Sequence, residues 1–415
     1  MRYLTATMMA LLLFGCTTSD KEDTSELLPS GFHFYPNQGT SNKPIGLLAD
    51  SGSYHLFYTT GGDVVGYAKS PNFLHWNFDS SIEPGEALSN ISWDSSEDRF
   101  VLIEGDAAPY TLKTSTDLNK WSKQQMQLPN DASGIPRISR FQSNWILTLT
   151  NGEEISFFSS SDLITWNANN KLTVEVEASA AQLASVEDQA VLLLSAKNAS
   201  YFIGSYDEQG FVPASNLMLL DHGQSITDVI ATSTNQGTYL IGNLGKNSFT
   251  APRKLSLSKN ESTYLKGFPG SLVSTEVTAK RRSRLSQLKG DKSSWFSFPI
   301  EGYDLSFGVV LTNADERIAM QYDKRSSSVV FETELSNEKR SWSSTINSPL
   351  PDTVQVDVLI DYRAIEIYLN DGFFQASFPI SPKTIPDRML LEVDNSEAET
   401  KGIVYSISDK PVQYR

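Results

Sequence analysis

Short runs of aromatic and β-branched residues recur along the chain at near-constant spacing. They are Tyr54-His-Leu-Phe-Tyr58, Phe100-Val-Leu-Ile103, Trp145-Ile-Leu-Thr-Leu149, Val191-Leu-Leu-Leu194 and Tyr239-Leu-Ile241. Each is short, rich in strand formers and without a helical period. A second motif repeats in phase with them. Its copies are Ser70-Pro-Asn72-Phe73-Leu-His-Trp76, Ser115-Thr-Asp117-Leu118-Asn-Lys-Trp121 and Ser160-Ser-Asp162-Leu163-Ile-Thr-Trp166, with the tryptophans 45 residues apart both times. A degenerate fourth copy follows, Ser205-Tyr-Asp207 and then Phe211 in the aromatic place. An Asp or Asn that opens a turn, followed by an aromatic that re-enters the core, suits a connection within a repeated β unit. Strand-rich periods of about 40–50 residues are the signature of propeller blades. The pattern predicts an all-β fold, with five four-stranded blades over residues 32–262. The alternative is a sandwich with accidental similarity, which three in-phase copies argue against.

From Leu272 the repeat stops and strand alternation continues, as in Val354-Gln-Val-Asp-Val358 and Ile365-Glu-Ile-Tyr-Leu369. Asn370-Asp371-Gly372 is a tight-turn signal between two strands. A β-sandwich over 268–410 is expected. Lys280-Arg281-Arg282 within it reads as a solvated strand edge, where cations discourage unwanted pairing.

The amino terminus has a different character. Arg2 precedes an apolar run, Met8 to Phe14, far shorter than the roughly 20 residues a spanning helix needs. Leu13-Phe14-Gly15-Cys16 ends it and resembles a bacterial lipobox. The expectation is a signal peptide over 1–15, lipidation of Cys16, and an acidic tether over 16–31 carrying Asp20, Glu22, Asp23 and Glu26. That places the protein in the cell envelope, held to the outer membrane or cell surface by its lipid. Cys16 is the single cysteine, so no internal disulfide can form and stability must come from burial.

A net charge of −15 argues against nucleic acid, whose phosphates are bound by Lys and Arg, and is compatible with a neutral glycan. The four histidines, His33, His55, His75 and His222, are scattered, so neither a metal site nor a cofactor is expected.

Several segments match one family. Phe32-His33-Phe34-Tyr35-Pro36 and Gly39-Thr40-Ser41-Asn42-Lys43-Pro44-Ile45-Gly46 resemble the opening of glycoside hydrolase family 32, which reads His-Phe-x-Pro and then Gly-Trp-Met-Asn-Asp-Pro-Asn-Gly. The match continues through Ser53 to Tyr58, Gly66 to Ser70 and His75-Trp76. Near the far end, Ile360-Asp361-Tyr362-Arg363, Glu366 and Asn370-Asp371-Gly372 resemble the family's sandwich signature. The resemblance implies a five-bladed propeller followed by a sandwich, acting on fructans or sucrose. It also implies a carboxylate nucleophile, a carboxylic acid/base and a third carboxylate that holds the sugar, each at the start of an innermost strand.

The usual carboxylates are replaced here. Lys43 stands at the nucleophile position, and an ammonium would repel the oxocarbenium-like charge of the transition state. Ile135 stands for the aspartate of Arg-Asp-Pro. The acid/base motif falls near Glu177 to Leu183, as Ser179 in one register or Glu177 in another, Ser179 being favoured because Gln182-Leu183 then takes the Asp-Leu place.

A propeller gathers the starts of its inner strands around one axial pocket. The candidate substrate-binding rim is Asn42, Lys43, Trp93, Asp94, Arg137, Glu177 and Asp228. Each has a plainer reading: Asn42 capping a turn, Arg137 pairing with a neighbouring blade, Glu175 and Glu177 solvated, Trp93 packing. Three functions compete. A non-catalytic carbohydrate-binding or accessory lipoprotein is favoured. A hydrolase whose catalytic pair is rebuilt from Glu177, Asp94 or Asp228 is the first alternative, and a surface protein with a closed pocket is the second.

Overall fold

The computed structural model describes residues 31–36, 42–50, 52–60, 65–78, 88–129, 131–245, 247–259, 263–270, 277–284, 293–335, 337–346, 348–381, 385–394, 396–398 and 400–407. Cys16, the signal segment and nearly all of the tether lie outside them. The elements with described bounds are all strands, and Gly270 alone among the described residues is helical.

The first half forms consecutive antiparallel sheets. Pro44–Ala49, Tyr54–Thr59, Val65–Ser70 and Asn77–Phe78 make one sheet, and Leu88–Asp94, Arg99–Glu104, Thr111–Ser115 and Ser122–Gln125 the next. The aromatic runs found in the sequence occupy the second strand of each unit. The third and fourth units are fused into one seven-stranded sheet rather than separated. Asn167–Val186 pairs through its first part with Asn144–Ser160 and through its second with Gln189–Ala196. Register shifts at Gly152 and around Ala178–Ala180 let the chain change direction without leaving an extended conformation. The fourth sheet holds Val229–Thr234, Gly237–Gly245, Ser248–Phe249, Arg253–Lys259 and Thr263–Phe268. The last of these is a stretch that the sequence reading left between its two domains.

The leading strands of the five units contact one another in cyclic order, from Pro44–Ala49 through Leu88–Asp94, Ile135–Phe141, Asn167–Val186 and Val229–Thr234 back to the first. Buried side chains stitch these neighbours together. Asn90 accepts from the Ile138 amide at 2.9 Å and donates to the Ile45 carbonyl at 3.4 Å. Gln182 makes both bonds to the Ala231 backbone, at 2.8 and 2.9 Å. Such bonds satisfy backbone groups that no strand ladder reaches.

The Ser-x-Asx motif is a turn with a fixed chemistry. Asn72, Asp117 and Asp162 each accept two backbone amides, those of Leu74 and His75, Asn119 and Lys120, and Ile164 and Thr165. The next residue takes a left-handed conformation, with φ of 67° at Phe73, 63° at Leu118 and 65° at Leu163. That costs roughly 1–2 kcal/mol at a non-glycine residue. Burial of Phe73 and Leu163, partial burial of Leu118 and the Asx bonds offset it. The indole N–H of Trp121 and of Trp166 donates to the carbonyls of Leu118 and Leu163.

The second half is two six-stranded sheets packed through one core that includes Phe298, Phe307, Met320, Phe331, Val356 and Ile367. The strand Val277–Arg284, which carries Lys280-Arg281-Arg282, stands at a sheet edge. Asn370, Asp371 and Gly372 all adopt positive φ and join Ala364–Leu369 to Phe374–Pro379.

The halves are joined by a buried ionic network. Arg253 Nη2 lies 3.1 Å from Asp221 Oδ2, 3.0 Å from Glu366 Oε1 and 2.6 Å from Ser377 Oγ. Tyr368 donates to Glu366. His33 Nδ1 sits 3.3 Å from Asp361, and its Nε2 is 3.7 Å from Glu366, beyond hydrogen-bond length but within ion-pair range. A Cβ on Gly31 would stand 2.0 Å from Asp361 Oδ2, so only glycine lets the entering chain pass.

Burial alone would lower the His33 pKa, but the hydrogen bond to Asp361 and the nearby Glu366 carboxylate outweigh that and raise it to about 9. Burial would raise Glu366, but Arg253 and then His33 hold it down to about 2. The His33 value lies above its ordinary 6.5, so its contribution is complete below that pH and lost as pH rises through about 9. Glu366 contributes above its ordinary range and loses its effect as pH falls toward 2. We predict that unfolding free energy declines from pH 6.5 to 9 by on the order of 3 kcal/mol. Urea titrations across that window should show the slope, and His33→Gln should flatten it. An unchanged slope in the variant would refute the assignment.

Candidate functional site

The starts of the leading strands converge on one mouth of the strand ring. Lys43 is fixed there by its backbone: its N–H donates to Thr59 Oγ1 at 2.9 Å and its carbonyl accepts from the Thr59 amide at 2.9 Å. Its half-exposed ammonium lies 3.3 Å from Oδ1 of the buried Asp228. Asp228 Oδ2 accepts from the Thr227 hydroxyl at 2.9 Å. Asn42 donates from Nδ2 to Asn247 Oδ1 at 2.8 Å.

Arg137 is buried beneath this pair. Its Nη1 donates to the Val229 carbonyl at 2.9 Å, so it reaches a leading strand that is not adjacent to its own in the ring, in place of the neighbouring unit read from the sequence, while Nε finds no protein partner. Burial pulls the Arg137 pKa down to about 10, and the Asp228 charge works against that pull. Ser179 Oγ donates to the Ser195 carbonyl at 3.2 Å, and Ser195 Oγ accepts from the Val229 amide at 3.0 Å. Ser179 is thereby tied to the same corner. Ile135 opens its strand about one-third exposed, as an apolar side chain.

Trp93 and Asp94 are not part of this mouth, which corrects their place in the expected rim. They close the strand Leu88–Asp94, six residues beyond its start, or about 20 Å at about 3.3 Å per residue. Because the leading strands run parallel around the ring, both residues sit at the opposite end. They line a cavity of about 230 Å³ there, together with Ala49, Arg140 and Ser233. Asp94 is committed locally, accepting from Ser96 at 2.6 Å and pairing with Arg99 at 3.2 Å. The Trp93 ring packs on Phe100 with centroids 4.8 Å apart. Glu177 is exposed on its strand, two residues before Ser179.

Sequence reasoning missed Thr59, Thr227, Ser195 and Asn247. Thr227 adjoins Asp228 and could have been found from that position. Ser195 and Asn247 reach the corner from other strands and loops, which one sequence does not signal.

The retaining route of glycoside hydrolysis needs two carboxyl groups about 5–5.5 Å apart. Of Glu177, Asp94 and Asp228, it is Asp228 that pairs with Lys43 at the mouth, so its near neighbour is an ammonium. Lys43, Ser179 and Asn42 provide hydrogen-bonding groups beside the exposed Ile135, an arrangement suited to a neutral polyhydroxyl ligand.

The model described as glycosyl hydrolases family 32 C terminal matches residues 261–404. Over those residues the chain is similar to the C-terminal part of that family. It is 22% identical to a levanase of Bacillus sp. (strain L7) over 84% of this chain and 49% of the levanase, so it spans about half that protein's length. It is 20% identical to a sucrose-6-phosphate hydrolase of Zymomonas mobilis subsp. mobilis over 88% of each chain. In fold it is similar to the sucrose-6-phosphate hydrolase structure from Lactobacillus gasseri, with a TM-score of 0.74, 15% identity, and coverage of 92% of this chain and 93% of that one. The family 32 model covers the sandwich, whereas the mouth lies wholly in the preceding sheets.

Removing Asp228 leaves the buried Arg137 without its nearby negative charge. Asp228→Ala should therefore destabilise by about 3 kcal/mol, while removing the half-exposed Lys43 (Lys43→Ala) should cost less than about 1 kcal/mol. Urea unfolding measures both, and equal losses would show that Asp228 serves Lys43 alone.

Proposed function

We propose that the protein is an exported lipoprotein that binds carbohydrate, with fructan the first ligand to test, and does not hydrolyse it. Its scaffold is read as a five-bladed propeller over 32–262 and a sandwich over 268–410. The cyclic contact of five leading strands supports that count. The observation that carries the functional reading is the Lys43–Asp228 ion pair. Such a pair sets a cation where a glycosidase would develop positive charge, and it engages the carboxylate of Asp228. General acid catalysis contributes typically about 10²–10⁴-fold, so an acid without a nucleophile does not give an enzyme-like rate. The names of the relatives, levanase and sucrose-6-phosphate hydrolase, make levan and sucrose reasonable probes.

Purified protein should release no reducing sugar above background from sucrose, inulin or levan. Lys43→Asp alone should not restore turnover, because Ile135 still offers no hydrogen bond to the sugar. Levan binding measured by calorimetry should weaken on Asp228→Asn and be indifferent to Trp93→Ala, which lies at the far end of the axis. Robust fructose release abolished by Asp228→Asn would instead establish the hydrolase reading.

Anchoring is a separate expectation resting on Leu13-Phe14-Gly15-Cys16. In a host that processes lipoproteins, the wild type should incorporate labelled fatty acid and Cys16→Ser should not. Absence of label in the wild type would remove the anchor from the proposal.

A further inference from the structure

At the end of the axis away from Lys43 and Asp228 lies the cavity of about 230 Å³ that Trp93 and Asp94 line. All five leading strands reach it, through Ala49, Asp94, Arg140, Ala184 and Ser233. Four of these strands stand at the edges of their sheets, so main-chain N–H and C=O groups on their inner sides have no ladder partner. Asn90 and Gln182 line the deeper part and answer some of those groups, at Ile138 and Ala231. Ser139, Thr232 and Ser233 add hydroxyl-bearing residues nearer the opening. The concavity is therefore built by the ring itself, and much of what it offers is hydrogen bonding.

Two charged side chains line it, Asp94 and Arg140. Asp94 is buried and already balanced. Arg99 Nε lies 3.2 Å from its Oδ2, and the Ser96 hydroxyl and amide donate to its Oδ1 at 2.6 and 3.2 Å. Arg140 is exposed, and its guanidinium carbon stands 5.1 Å from the centre of the Trp145 ring. Among the described residues no carboxylate pairs with it. The chain carries 49 acidic and 34 basic residues, so partners for an arginine are not scarce, yet this one rests on an indole face. Trp145 is buried and makes a fixed platform. A guanidinium stacked on an aromatic ring keeps its N–H edge free for two parallel bonds to a carboxylate. Trp93, packed on Phe100, holds another part of the wall. The groove of about 780 Å³ between the two halves has no such group, since the described residues that line it include no Asp, Glu, Lys or Arg.

We propose that the far-end cavity is a second binding site, and that it takes a small organic monocarboxylate, whose carboxylate pairs with Arg140 and whose polar body enters among the strand edges and hydroxyls. The charge count selects a monoanion. Arg99 cancels Asp94, which leaves the one positive charge of Arg140, and a phosphate dianion would bring a second negative charge beside Asp94. The volume holds on the order of eight water-sized groups, the scale of a hydroxy acid or an acylated amino acid. The proposal does not depend on what the mouth binds.

Calorimetry on the full-length protein tests it. The carboxylate probes are N-acetylglycine, D-glycerate and quinate. N-acetylglycinamide is the uncharged counterpart, and inorganic phosphate is the general anion. At least one carboxylate should bind, and more tightly than either control. Arg140→Gln, at an exposed side chain, should weaken that binding about tenfold or more. Arg140→Lys keeps the charge without the fork and should fall between the two. Ser233→Asp, at the exposed rim, should also weaken it, and Asp228→Asn should leave it unchanged. The proposal is overturned if none of the three carboxylates binds, if N-acetylglycinamide or phosphate binds as tightly, or if Arg140→Gln binds like the wild type.

Discussion

Arg253 is the point on which the arrangement of the molecule turns. Its guanidinium is buried, and through Nη2 it meets Asp221 from the first half and Glu366 and Ser377 from the second. Taking such charges out of water costs several kcal/mol per ion, and only close, hydrogen-bonded geometry offsets it. The network is therefore demanding about position. A sandwich shifted by an ångström would strand an arginine and two carboxylates in an apolar interior. His33 extends the same constraint to the start of the described chain, through Asp361 and Glu366. Both Nε and Nη1 of Arg253 lack protein partners, so this network serves to fix geometry more than to add stability.

Around the axis the constraint is of another kind. The leading strands of neighbouring units do not share a ladder, so their backbone groups are met by the Asn90 and Gln182 side chains, and Arg137 reaches one strand farther around the ring. Each such residue is buried and unavailable to a ligand. Arg137 shows the consequence: a guanidinium that looks like a sugar ligand in the sequence is occupied by the Val229 carbonyl. The chemistry left at the mouth belongs to residues just before the strands, Lys43 and Asp228. Their mutual attraction is modest because Lys43 is half-exposed, yet it decides what charge a ligand would meet.

The concavities differ in charge. The mouth inherits charge from residues placed there by strand starts, and that charge is balanced within the protein. The groove is made where the two halves meet, and the described residues that line it include no Asp, Glu, Lys or Arg.

The sequence by itself determined the repeat. A 45-residue period, an Asx turn and a returning aromatic are local requirements, and the turns at Asn72, Asp117 and Asp162 satisfy them with bonds spanning two or three residues. The second strand of each unit, the Asn370-Asp371-Gly372 turn and the basic edge strand were legible for the same reason. The presence of Lys43 and Ile135 where carboxylates were expected was also legible, since it needs only the order of residues. Which residues meet was decided by tertiary structure. Trp93 and Asp94 fall at the wrong end because position along a strand converts to depth along the axis at about 3.3 Å per residue. Thr59, Ser195 and Asn247 come from other strands and loops, and the fusion of the third and fourth units depends on bulges with no sequence signature. The groove and the Arg253 network join residues more than a hundred positions apart, and burial, hydrogen bonding and charge at that range are set only when the two halves close on one another.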